Sequence, residues 1–169
     1  FYSLQGEGRW TGTPFIFIRL SGCNLDCPFC DTQHKDFTEM SVDEIIKHLY
    51  RYRCNRVIIT GGEPLLQDLA ELKYALKQKG YKTHIETNGT KPLNHYNFDW
   101  VTVSPKSFAL DGKTMLFADE VKFLCGYDLW EKFIEVTLEE YVTNGLLYLQ
   151  PVWTEGDDAL VNTTPSILF

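Results

Sequence analysis

The chain has 169 residues, a formal net charge of -7, 44% hydrophobic residues, 14% aromatics and five cysteines. That length and apolar content suit one domain with a substantial core, so 1–169 is expected to be a single unit. Scattered Lys and Arg in an acidic chain argue against a nucleic-acid partner, strand-sized apolar runs argue against a membrane span, and an odd cysteine count with no signal-like opening argues for a reducing cytoplasm.

In chain order, the first notable segment is Leu4-Gln5-Gly6-Glu7-Gly8. An apolar run predicts a strand over 15–20, and alternation directs Arg19 to the same face as Phe15 and Phe17. The loop over 21–32 then carries Cys23, Cys27 and Cys30 at C-x3-C-x2-C spacing. Three thiolates on one short loop, with no fourth beside them, suit an iron–sulfur cluster with one open iron. A zinc knuckle completed by His34, Cys54 or Cys125 is the competing reading, although structural zinc usually takes ligands in pairs.

A helix is predicted over 41–52, opened by the capping box of Ser41 and Glu44, and a second over 68–79, closed by Gly80. Between them lies a strand over 57–60 that runs into Thr60-Gly61-Gly62-Glu63-Pro64. The glycines let backbone approach a ligand, and the carboxylate of Glu63 could accept from an ammonium group. A strand over 83–87 leads to Glu86-Thr87-Asn88-Gly89, where Glu86 could take ribose hydroxyls and an Asn-Gly turn is the plain alternative. A strand over 100–104 leads to Ser104-Pro105-Lys106, which offers a hydroxyl and an ammonium to a carboxylate. Strands over 120–124 and 146–151 flank a broken helix over 128–143, and the last strand ends in Gln150-Pro151-Val152-Trp153.

Strand–helix alternation implies parallel strands with right-handed crossovers. The expected fold is α/β, an open doubly wound sheet or a partial TIM-type barrel of about six parallel strands and about three helices, with working groups at the C-terminal strand ends. Cys54 and Cys125 are expected to be ordinary buried thiols.

The cysteine loop, Gly61–Pro64 and the strand-end carboxylate together resemble the radical S-adenosylmethionine (SAM) enzymes. The resemblance implies a 4Fe–4S cluster on Cys23, Cys27 and Cys30. It further implies SAM held by Phe29, Cys30, Asp31, Gly62, Glu63, Glu86, Ser104, Pro105, Lys106, and 150–153 (Gln150, Pro151, Val152, Trp153). Leu4–Gly8, Cys30-Asp31-Thr32 and Ser104–Lys106 narrow the likeness to the 7-carboxy-7-deazaguanine synthase family. That family implies ring contraction of 6-carboxy-5,6,7,8-tetrahydropterin. The pterin would rest on Leu4, Gln5, Gly6, Glu7 and Thr60 and pair its carboxylate with Arg19, and Thr32 would bind Mg²⁺. A flavodoxin or ferredoxin electron donor and a homodimer are also implied.

The family usually continues past its last strand with a Gln-x-His-Lys type tail, which is not found after Trp153, so either this member is short or residues are missing. Two other readings remain open. A glycyl-radical activating enzyme would share the cysteine loop and Gly61–Pro64 but not Leu4–Gly8, and a non-catalytic iron–sulfur or zinc module would need no SAM site.

Overall fold

The computed structural model describes residues 1–30, 32, 36–94, 97–126, 130–140, 145–152 and, as backbone, 166–168. Among them, eight strands form one sheet in sequential order: β1 (Tyr2–Leu4), β2 (Pro14–Leu20), β3 (Arg56–Gly61), β4 (Lys82–Thr87), β5 (Trp100–Val103), β6 (Glu120–Cys125), β7 (Leu146–Pro151) and β8 (Ser166–Leu168). β2 to β7 pair in parallel, which is the six-stranded parallel core expected from the alternation. β1 and β8 add antiparallel edges that three-residue segments could not announce.

Four helices are described: α1 (Val42–Leu49), α2 (Ala70–Gln78), α3 (Gly112–Leu116) and α4 (Trp130–Glu140). The expected three gain α3, a five-residue turn begun by the Asp111 carboxylate accepting from the Thr114 amide at 2.8 Å. The Ser41/Glu44 capping box of α1 is formed in both directions. α2 begins later than expected because Asp68 accepts from the Ala70 amide instead of entering the helix, and Gly80 ends it at φ +76. No described helix is long and apolar enough to cross a membrane.

Alternation along each strand divides the molecule into an apolar outside and a functional inside. Ile16, Val57, Ile59, Ile85, Val103, Val121 and Phe123 are essentially fully buried and join Ile46, Leu49, Leu72, Leu76 and Phe133 of the helices in one core. Truncating Phe123 to Ala would cost about 3–5 kcal/mol on the usual core scale.

The other face turns inward. At its lower end, Trp10, Phe15, His84 and Trp100 form a plug, with Trp10 against His84 at 5.2 Å and Phe15 against His84 at 4.8 Å between centroids. Above it, Thr60, Glu86, Thr102 and Glu120 follow on adjacent strands, since Glu86 pairs with Thr102 and Thr102 with Glu120. The sheet is curled, because the stretch after β1 reaches β6: the Arg9 amide donates to Glu120 at 2.8 Å, and Lys122 bridges Glu7. The sheet is thus a partial barrel, closed below by aromatics and open at the C-terminal strand ends.

Candidate active site

A cavity of about 420 Å³ lies at that open end, and every C-terminal strand end from β3 to β7 borders it. The cysteine loop gives one wall through Cys23, Cys27, Phe29, Cys30 and Thr32. The loop is pinned from several sides. Asn24 donates to Thr90 Oγ1 at 2.8 Å and accepts from Asn88 at 3.1 Å, and the Leu25 amide points at Cys23 Sγ. All five cysteines are free.

Beside this wall stands the glycine turn. A Cβ on Gly62 would press on Cys23 Cβ at 2.8 Å and overlap the Gly22 carbonyl, while Gly61 adopts φ +150 against the backbone of Leu20. Only glycine allows this close approach of turn and loop. Thr60 and both glycines line the cavity.

Glu63 does not. The residue is fully buried, and its carboxylate accepts from the Leu65 amide at 2.9 Å, the Thr87 hydroxyl at 2.8 Å and the Asn88 amide at 2.7 Å. The carboxylate expected to accept from a ligand ammonium is thus turned toward protein donors. Three protein donors occupy three of its roughly four accepting positions, and through them it joins the glycine turn to the end of β4. Burial raises its pKa, opposed by those amides and the hydroxyl.

Glu86 does face the cavity, where it accepts from Gln5 Nε2 at 2.6 Å and from Thr60 Oγ1 at 3.3 Å. Ser104 and Lys106 line the same space. Lys106 donates to Ser104 Oγ at 2.8 Å, and burial, then the neighbouring Lys122, lowers its pKa against the opposing pull of Cys27, Glu7 and Glu86. Pro105, between them, is buried. Gln150, Pro151 and Val152 close the far side, with the Val152 amide held by the Cys125 carbonyl at 2.9 Å.

The opening segment divides. Glu7 lines the cavity, Gln5 reaches it through Glu86, and Leu4 is 60% exposed with its side chain outside. Gly6 offers its amide to the Gln5 side chain at 2.7 Å. Arg19 lies in register with Thr60, on the expected face, but its guanidinium sits over the Phe1 ring at 5.6 Å and borders a second groove. It is not gathered into the first cavity. Asp31, Trp153 and His34 lie outside the described residues.

The sequence reading missed Lys122 and Glu120, charged side chains on the inner face of β6 that are 5% and 3% exposed. Their signal was present: two opposite charges two residues apart inside an otherwise apolar strand. Burial alone would depress Lys122, but Glu86 and Glu7, then Glu120, raise its pKa above the ordinary value. Asn24 and Asn88, which fasten the cysteine loop to β4, were also missed, because neither lies in a recognisable ligand pattern.

Residues 17–161 match the family model of the Radical SAM superfamily. The 7-carboxy-7-deazaguanine synthase of Synechocystis sp. is 39% identical over 160 residues, covering 90% of this chain and 76% of that protein. The enzyme of the same name from Bacteroides thetaiotaomicron is 54% identical over 122 residues, 72% of this chain, and this match spans 65% of its length. The chain belongs to the 7-carboxy-7-deazaguanine synthase family of radical SAM enzymes. A solved structure, QueE from Escherichia coli, superposes with a TM-score of 0.80 at 31% identity and covers 90% of this chain and 81% of its own.

Radical SAM membership implies a 4Fe–4S cluster and SAM, and the residues present fit them. Among the described residues, no three His, Cys, Asp or Glu side chains are gathered tightly enough to ligate one ion. The three loop thiols line one cavity wall, which suits a cluster, whose irons each take a separate thiolate. The glycine cradle and the Lys106 ammonium border the same space.

Proposed function

We propose that this chain converts 6-carboxy-5,6,7,8-tetrahydropterin into 7-carboxy-7-deazaguanine and ammonia, a ring contraction that feeds 7-deazapurine synthesis. The observation that carries the reading is one cavity with two kinds of wall. The three cysteines stand on one side, and Glu7 of the opening segment stands on another. Relatives at 54% and 39% identity bear the name of that synthase.

Cluster and SAM together supply a hydrogen-abstracting 5′-deoxyadenosyl radical. The chain's own share is positioning and exclusion of water. Cys23, Cys27 and Cys30 would hold the cluster. The backbone at Gly62, fixed by Glu63, would face the amino group of SAM, and Lys106 with Ser104 would face its carboxylate. Glu86 would take ribose hydroxyls, while Phe29 and the 150–153 segment would enclose the adenine.

Gln5, Gly6, Glu7 and Thr60 would bind the polar edge of the pterin. Arg19 would pair with the substrate carboxylate, for which its side chain must leave Phe1 and swing toward Thr60. Thr32, on the cavity wall, would supply one oxygen to Mg²⁺, which takes few protein ligands and keeps substrate and water oxygens. A flavodoxin or ferredoxin donor, a homodimer and a cytoplasmic setting complete the proposal.

The test is anaerobic reconstitution with iron and sulfide, then incubation with dithionite, SAM, Mg²⁺ and the tetrahydropterin. Mass spectrometry should find 7-carboxy-7-deazaguanine, and Cys27→Ala should abolish it. Release of 5′-deoxyadenosine without that product would keep the radical chemistry and reject the substrate. Neither product from a chain with an intact cluster would favour a non-catalytic iron–sulfur module.

A further inference from the structure

The inner face of β6 carries two buried charges that the proposed chemistry does not use. Glu120 accepts from the Arg9 amide at 2.8 Å. The intervening Gly8, at φ +64, lies so close that a Cβ there would overlap the Glu120 carboxylate. Lys122, two residues on, bridges Glu7. The same stretch is held at its start by Gln5 on Glu86 and at its end by Trp10 on His84. Residues 5–10 therefore run along the inside of the curled sheet, from Glu86 of β4 to Glu120 and Lys122 of β6 and down to the aromatic floor, fastened at four points.

Burying an ion pair is seldom more stabilising than an apolar pair of similar size, so stability alone is a weak reason for these charges. Their consequence is geometric. An ammonium flanked by Glu7, Glu86 and Glu120 cancels part of a crowded negative charge and fixes where Glu7 and the backbone of 5–10 stand.

We propose that Glu120 and Lys122 are positioning residues for the substrate, a clamp on β6 that holds residues 5–10 as the pterin-facing wall. The pterin assignment rests on the function proposed above, whereas the clamp itself does not.

The test uses the full chain with Lys122→Met, Lys122→Arg and Glu120→Gln. Amide exchange followed by NMR should show the Arg9 amide exchanging at least about tenfold faster in Lys122→Met, while the Ile58 and Ile85 amides of the core strands keep their rates. In the reconstituted enzyme, KM for the tetrahydropterin should rise at least about tenfold more than KM for SAM, and Lys122→Arg should recover most of the loss. An Arg9 amide as protected as wild type in both Lys122→Met and Glu120→Gln overturns the clamp, and so does a parallel rise in both KM values. If Lys122→Met does not fold, Glu120→Gln, which keeps an acceptor for Arg9, carries the same comparison. A wild-type chain that makes no 7-carboxy-7-deazaguanine rejects the substrate, and the exchange rates still decide the clamp.

Discussion

The two walls of the cavity are built by opposite means. The cysteine wall is local: short loops that follow β2, β3 and β4 are tied by Glu63, which accepts from the Asn88 amide, and by side-chain bonds that link Asn24 to Asn88 and Thr90. The opposite wall, residues 5–10, is assembled from partners more than a hundred residues apart, the Arg9 amide with the Glu120 carboxylate and Glu7 with Lys122, over an aromatic floor. A local wall can keep its shape when the barrel loosens, whereas a wall spanning from the first strand to the sixth depends on barrel closure.

The largest expected effect strikes the local wall. Glu63→Ala would leave the Leu65 and Asn88 amides and the Thr87 hydroxyl without their acceptor in a fully buried place. Three buried donors left unmet, at about 1–3 kcal/mol each, should cost about 3–5 kcal/mol together, read as a lower midpoint in urea unfolding. Glu63→Gln, which keeps one oxygen acceptor, should lose less. Equal midpoints for wild type and Glu63→Ala would mean that the glycine turn is not tied to β4 through this residue.

Next in size is a pH effect under the distant wall. Burial among Trp10, Phe15 and Trp100 lowers the pKa of His84 to about 4, from an ordinary 6.5. The folded pKa is depressed, so the unfolded chain binds more protons between those values. Stability is complete above pH 6.5 and falls as pH drops toward 4. The loss from this group alone is up to about 3 kcal/mol, at 1.36 kcal/mol per unit. Subtracting the pH profile of His84→Phe from that of wild type should isolate it. A flat difference would show that the plug accommodates an imidazolium.

The contrast between the walls also decides what could be read in the sequence. Cys23, Cys27, Cys30, Gly61 and Gly62 were legible because their chemistry depends on spacing along a short stretch, and the parallel core because strand–helix alternation is a local pattern. Glu63 was legible only in part for the same reason: the motif marks its importance, but only the fold shows that Thr87 and Asn88 donate to it. Glu120 and Lys122 needed the barrel to curl before their partners came within reach. β1 is three residues long and exposed at every position, so no periodicity could reveal it.

The smallest effect tests how far the local wall resists single losses. Asn24→Ala removes the part-buried bond from Asn88 and the exposed bond to Thr90, and should cost about 1 kcal/mol. The Asn88 side chain still caps Thr90 through Oδ1, at 2.9 Å from its amide and 2.7 Å from its hydroxyl, so the end of β4 keeps its turn. The expected change is confined to the cysteine loop: faster amide exchange over 24–30, with β4 unchanged. If exchange accelerates equally in β4, the loop and the strand end form one cooperative unit, and the local wall is as dependent on the rest of the barrel as the wall made by residues 5–10.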